Sequence, residues 1–287
     1  MELSATLNLH QENLRVIGTL FLPHNVSRVR AVIVVFRWGN GSEFYPDPEV
    51  RRLAGTTGSA LLLTDFASIR TPIDQFPRFG GSNGSDGLLM LLRRLAKESR
   101  HQELAAVPLF FWGHSAAGNF GPAFATVYPQ RTIALVLYQS AALESVRADA
   151  DITGLSQIPV LIVKDGTDGR VFSGTVLDPS ETLWRRGRSA GAPWTFAAQP
   201  GAPHGSVEYL KKANDLLIPW IGAVLRQRLP PDGSRLRVVT ETAAWLGDLK
   251  TGEVGPYVTF LRSKLERNWL PDEASARGWR AVSGTAK

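Results

Sequence analysis

The chain has 287 residues, 44% hydrophobic and 20% charged, the balance of a folded globular protein with room for one large α/β domain or two small ones. It contains no cysteine, which excludes disulfides, thiol catalysis and cysteine-ligated zinc. The net charge is +6, but the basic residues are scattered, in pairs at 51–52, 93–94, 185–186 and 211–212 that read as solvated helix faces. No arginine-rich arm points to nucleic acid.

The opening MELSATLNLH lacks a basic region followed by an apolar run, so no signal peptide is expected, and the compartment is left open. ATLNLH and LRVIGTLFLP both alternate apolar and polar residues, the second stopping at Pro23, which predicts an antiparallel pair of strands. RAVIVVF (30–36) is a continuous β-branched run of the kind that forms a strand buried on both faces. RWGNGS then reads as a loop, 49–59 has helical apolar spacing, and SALLLTDF (59–66) is the next buried strand.

Residues 67–87 form a long connection with Pro72, Pro77 and the run GGSNGSDG. A structureless stretch of that length after a strand end is expected to be a substrate loop. GLLMLLRRLAKESR reads as a helix with Asp86 as its N-cap. VPLFFW follows as a strand, then Ser115, then a helix ended by Pro129. TIALVLYQSA, IPVLIVKDGTD and PWTFAAQPGAPHG supply three more strands, and SVEYLKKANDLLIPWIGAVLRQRL a long helix expected to break near Pro219. The longest apolar strand runs fall far short of the ~20 residues that cross a bilayer. Strand and helix alternate over 30–228, which predicts a parallel sheet with helices on both faces. Beyond LPPDGSRL (229–236), Trp245, Trp269 and Trp279 predict that the last fifty residues pack back on the domain, with Trp245 and WLPDE as candidates for a rim over the site.

Gly113-His114-Ser115-Ala116-Ala117 lies between a strand and a helix, the setting of a G-x-S-x-G nucleophile elbow. A nucleophile on so tight a turn needs small residues two positions to either side; Gly113 meets this, and Ala117 replaces the usual second glycine. A serine hydroxyl needs a base, and the base an orienting acid. Of five histidines, His204 in GAPHGS follows a strand end and precedes the last long helix, which makes it the candidate base. Asp165 and Asp168 both close the preceding strand. Asp168, further out in the turn, is preferred as the acid, and Asp165 as the residue that shapes the turn. The chain order Ser, Asp, His is that of the α/β-hydrolases.

With GHSAA as elbow, KDGTD as acid loop and GAPH as histidine loop, residues 1–228 resemble the α/β-hydrolase superfamily. The LRVIGTLFLP hairpin leading into VIVVFRWGNGS is similar to the branch of dienelactone hydrolases, polyhydroxybutyrate depolymerases and feruloyl esterases. The resemblance implies a mostly parallel central sheet with an antiparallel N-terminal hairpin and helices on both faces, a catalytic domain over 1–228, and 229–287 as an extension packed on it. It also implies a cofactor-free serine esterase with Ser115, His204 and Asp168 as triad, taking a small-molecule or carbohydrate-linked ester. The oxyanion hole would use the backbone N–H groups of Ala116 and Asn40, with Gly39 in reserve. Trp38, where family members often carry the histidine of HGGG, and His114 are candidates for the pocket wall. A peptidase or amidase of the prolyl-oligopeptidase type and a non-catalytic binding protein of the same fold are the alternatives.

Overall fold

A computed structural model describes residues 1–69, 82–140, 152–166, 179–231, 235–261 and 263–283. Eight strands form the main sheet: β1 (Glu2–Leu9), β2 (Leu14–Phe21), β3 (Ala31–Phe36), β4 (Ser59–Ser68), β5 (Leu109–His114), β6 (Thr132–Tyr138), β7 (Val160–Gly166) and β8 (Trp194–Pro200). Their order in space is β1-β2-β4-β3-β5-β6-β7-β8. The hairpin pairs antiparallel, β2 pairs antiparallel with β4, and every later pairing is parallel. The fold class expected from the sequence is therefore the one observed.

The strands from β3 onward are apolar throughout because both of their faces are covered. Alternate residues serve opposite layers. Val32, Val34, Phe36, Phe111, Leu135, Leu137 and Ile162 enter a core shared with α3 (Ser82–Ser99), α4 (Phe120–Val127) and α5 (Pro179–Ser189). Ile33, Val35, Phe110, Trp112, Val136, Tyr138 and Leu161 enter a second core shared with α2 (Pro48–Thr57) and α6 (Val207–Arg228). A short helix, α1 (Gly41–Phe44), sets Phe44 flat against Trp112, with ring centroids 4.5 Å apart at 6°.

Two local expectations are corrected. Helix α3 starts at Ser82, so Asp86 sits inside it and accepts a hydrogen bond from the Tyr128 hydroxyl at 2.8 Å instead of capping the helix. Helix α6 runs unbroken through Pro219. The residue whose carbonyl the missing N–H of Pro219 would have bonded is Asp215, and its oxygen faces Gly278 of the last helix, α7 (Glu273–Ser283), where a Cβ would collide with it. Tertiary contact thus occupies the place of the lost bond.

The C-terminal residues contribute a small sheet of β9 (Trp245–Gly247), β10 (Val254–Pro256) and β11 (Asn268–Leu270), followed by α7. Trp269 and Trp279 are buried in the same core as Trp220 of α6. The outermost strand, β8, is met by side chains: Asn268 Oδ1 accepts the Phe196 N–H at 2.6 Å, Trp279 Nε1 donates to the Phe196 carbonyl at 2.7 Å, and the Thr195 hydroxyl donates to the Trp269 carbonyl. Arg188, fully buried on α5, donates to the carbonyl of Arg267 and pairs with Glu241. No helix among the described residues is long and apolar enough to cross a membrane.

Candidate active site

The chain places β4 on one side of β3 and β5 on the other. In an open α/β sheet such a reversal leaves a crevice beyond the carboxyl ends of the two central strands. The loop after β3 carries Trp38-Gly39-Asn40, and the turn after β5 carries Ser115.

Ser115 is half-buried and has φ +54°, in the left-handed region that a residue with a Cβ occupies at a cost of about 1–3 kcal/mol. Backbone strain of this kind is what a nucleophile elbow requires. The turn is tight enough that a Cβ on Gly113 would lie 2.6 Å from the Ala117 carbonyl oxygen and 2.8 Å from Gly118 Cα, so the steric need for glycine there is met. The Ser140 hydroxyl donates to the Ser115 carbonyl at 2.7 Å and fixes the turn from the end of β6. Ala116 follows in a 3-10 turn, Ser115–Asn119, that leads into α4.

His204 lies in the loop between β8 and α6, its side chain half exposed to solvent. Its Nδ1 is 2.7 Å from Asp165 Oδ2, and its ring centroid is 4.9 Å from that of His114, the residue before Ser115. The carboxylate facing the imidazole is therefore Asp165, which the sequence assigned to shaping the turn; Asp168 lies outside the described residues. The reason is register. Asp165 still belongs to β7, opposite Gln199, and the loop after β8 folds back over this strand end, with the Gly166 N–H donated to the Ala202 carbonyl at 3.3 Å. His204 is thereby delivered to the last side chain of β7. Of the long connection 67–87, residues 70–81 also lie outside the described residues.

The backbone at Asn40, expected to supply an oxyanion donor, is turned inward. The Asn40 N–H points down to His114 Nδ1, 3.3 Å away, and is buried. Gly39, with φ +55°, lies so close over His114 that a Cβ would strike its ring. The Gly39 N–H has no partner among the described residues. His114 itself is 3% exposed and both its ring nitrogens are engaged inside the protein, so it does not form a pocket wall. Burial, and secondarily the neighbouring His204, lower its pKa to about 4, so the ring is neutral. Because Nδ1 accepts from Asn40, the ring proton sits on Nε2, which donates to Gln139 Oε1 at 3.2 Å. Trp38 is 41% exposed at the mouth of the loop.

Gln139 was missed in the sequence. It is buried, has φ +46°, and bridges to the histidine loop: its Oε1 accepts the Gly205 N–H at 2.7 Å and its Nε2 donates to the Pro203 carbonyl at 3.4 Å. Asn40 Nδ2 donates to the Gly205 carbonyl at 3.0 Å. The available signal was a polar pair, Gln139-Ser140, closing an otherwise apolar strand at the carboxyl end of the sheet.

The proposed rim is also corrected. Helix α6 leaves the His204 loop and spans about 33 Å at 1.5 Å per residue. At its far end Gln227 donates to the Pro271 carbonyl at 2.7 Å and Arg226 faces Asp272. The segment WLPDE is thus held at the opposite end of α6 from His204. A cavity of about 380 Å³ between Arg30, Glu103, Pro108 and Leu229 lies at that opposite end as well, next to the amino ends of β3 and β5.

No sequence profile of a known protein family matches the chain, and no curated protein sequence does. Solved structures do match in shape. An S-formylglutathione hydrolase from Agrobacterium tumefaciens superposes with a TM-score of 0.55 at 14% identity, covering 78% of this chain and 95% of that one. Dienelactone hydrolase from Anabaena variabilis gives 0.52 at 16%, covering 80% and 99%. A fluorophosphonate-binding serine hydrolase of Staphylococcus aureus gives 0.52 at 12%, covering 77% and 98%.

Proposed function

On the α/β-hydrolase fold that this chain adopts, we propose that it is a serine hydrolase that cleaves carboxylic esters through an acyl-enzyme. The observation that carries the reading is the His204–Asp165 hydrogen bond, with the His204 ring 4.9 Å from that of His114, the residue before a serine on a strained strand-to-helix turn. Asp165 fixes the tautomer with the proton on Nδ1, which leaves Nε2 as the base for the Ser115 hydroxyl. Ser115 Oγ forms a bond to the ester carbonyl carbon as His204 takes its proton, and the negative oxygen settles on the N–H groups of Ala116 and Gly39. Each donor of this kind lowers the barrier by roughly 3–4 kcal/mol. The carbon–oxygen bond to the alcohol then breaks as His204 returns the proton to the leaving group. Water, deprotonated by the same imidazole, releases the acid and restores Ser115. The similar structures, named as a serine hydrolase, an S-formylglutathione hydrolase and a dienelactone hydrolase, lend support to a hydrolytic reading.

The test is hydrolysis of p-nitrophenyl acyl esters of graded length, run beside an aminoacyl-amide substrate and a fluorophosphonate probe. Ser115→Ala is expected to lose probe labelling and at least about 10³-fold in kcat. Asp165→Asn is expected to lose about 10⁴-fold in kcat with little change in KM, by favouring the wrong tautomer, while Asp168→Asn stays within threefold of wild type. Wild-type hydrolysis by Ser115→Ala refutes the reading, and a collapse in Asp168→Asn with Asp165→Asn intact reverses the choice of acid.

A further inference from the structure

His204 stands between two residues whose backbone is gripped from beneath. The Gly205 N–H and the Pro203 carbonyl are both bonded by the one amide of Gln139, at 2.7 and 3.4 Å. Gln139 Oε1 also receives the His114 Nε2 proton, His114 Nδ1 receives the Asn40 N–H, and Asn40 Nδ2 returns to the Gly205 carbonyl. The four residues therefore close a ring of hydrogen bonds that joins the loop after β3, the end of β5, the end of β6 and the loop after β8. Gln139, His114 and Asn40 are each at most 3% exposed. The ring is anchored in turn, since the Gln139 N–H donates to the Val163 carbonyl of β7 at 2.6 Å.

We propose that Gln139, backed by His114, is a positioning residue for His204: it fixes the loop so that the imidazole keeps Nδ1 on Asp165 and presents Nε2 to Ser115. The inference rests on the assignment of His204 as the base. The side chain is matched to the task. An amide supplies an acceptor for two N–H groups and a donor for one carbonyl from a single buried group, and removing it leaves all three unsatisfied. The loop then reorganises to reach water and carries the imidazole with it. A displacement of about 1 Å in a reacting group costs on the order of 10²-fold in rate.

Three variants of the full chain test this: Gln139→Leu, which keeps the volume and deletes the polar atoms; Gln139→Asn, whose amide is one methylene too short; and Gln139→Glu, which keeps the acceptor within reach. The readouts are kcat and KM on a p-nitrophenyl ester, and the low-field proton resonance of His204 Nδ1–H, identified by its absence in His204→Asn. The leucine and asparagine variants are expected to lose roughly 10- to 100-fold in kcat with KM within threefold, and to lose the low-field resonance to exchange, while glutamate recovers at least tenfold over leucine. If leucine does not fold, asparagine against glutamate decides. A kcat within twofold of wild type, or an unchanged resonance, overturns the proposal, as does a wild type with no such resonance. Should wild type neither hydrolyse esters nor take the fluorophosphonate probe, the assignment of function has failed, and the resonance alone still decides the role of Gln139.

Discussion

At the scale of single residues, the buried imidazole of His114 carries a consequence for stability. Its pKa is lowered to about 4 in the folded protein, against about 6.5 when exposed, because burial penalises the charged form. Between those values the unfolded chain binds a proton that the folded chain does not, so stability rises with pH across this window. The contribution is complete above about pH 6.5 and is lost as pH falls toward 4, amounting to about 2 kcal/mol between pH 7 and 4.5. Urea unfolding at the two pH values should show that loss in wild type and a smaller one in His114→Gln; equal losses contradict it. The same residue shows where the sequence stops being informative. The strained turn at Ser115 was readable because it is set by a local string, Gly113 and the residues that follow. The place of His204 in the loop after β8 was readable because it follows a strand end. The choice between Asp165 and Asp168, and between the N–H groups of Gly39 and Asn40, depends on strand register and on which group lies over His114. Neither is written in any short stretch.

At the scale of elements, strands were legible because continuous apolar runs such as AVIVVF and LFFW can only be covered on both faces. The path of α6 through Pro219 was not, because the carbonyl freed at Asp215 is met by Gly278, distant in sequence. That approach can be tested. Gly278→Ala places a methyl group against the Asp215 carbonyl and the Leu216 backbone, neither of which can move without disturbing α6. It is expected to cost about 1–3 kcal/mol. Gly154→Ala, with nothing within 4 Å of the added carbon, is the control and is expected to stay within about 0.5 kcal/mol. Urea midpoints for the two variants measure the difference, and equal midpoints remove the claim of close packing.

For the whole molecule, the C-terminal residues are part of the core, and WLPDE is held at the far end of α6 from His204. Trp269 and Trp279 are fully buried with Trp220, and truncation of one large buried aromatic costs about 3–5 kcal/mol. Losing both rivals the 5–15 kcal/mol that holds an ordinary domain folded. Deletion of residues 238–287 is therefore expected to give aggregated protein on size-exclusion chromatography; a monodisperse, folded product contradicts this.

The bonds that Asn268 and Trp279 make to Phe196 have a bearing beyond one chain. A sheet is in principle endless, and its outermost strand is an invitation for another molecule to continue the ladder. Here the invitation is weakened at β8 because the N–H and carbonyl of Phe196 are spoken for by the chain's own tail. At the other margin, Arg94 Nη1 donates to the Thr6 carbonyl of β1 at 2.8 Å, setting a charge against that strand. A strand laid along either margin would first have to displace one of these internal hydrogen bonds.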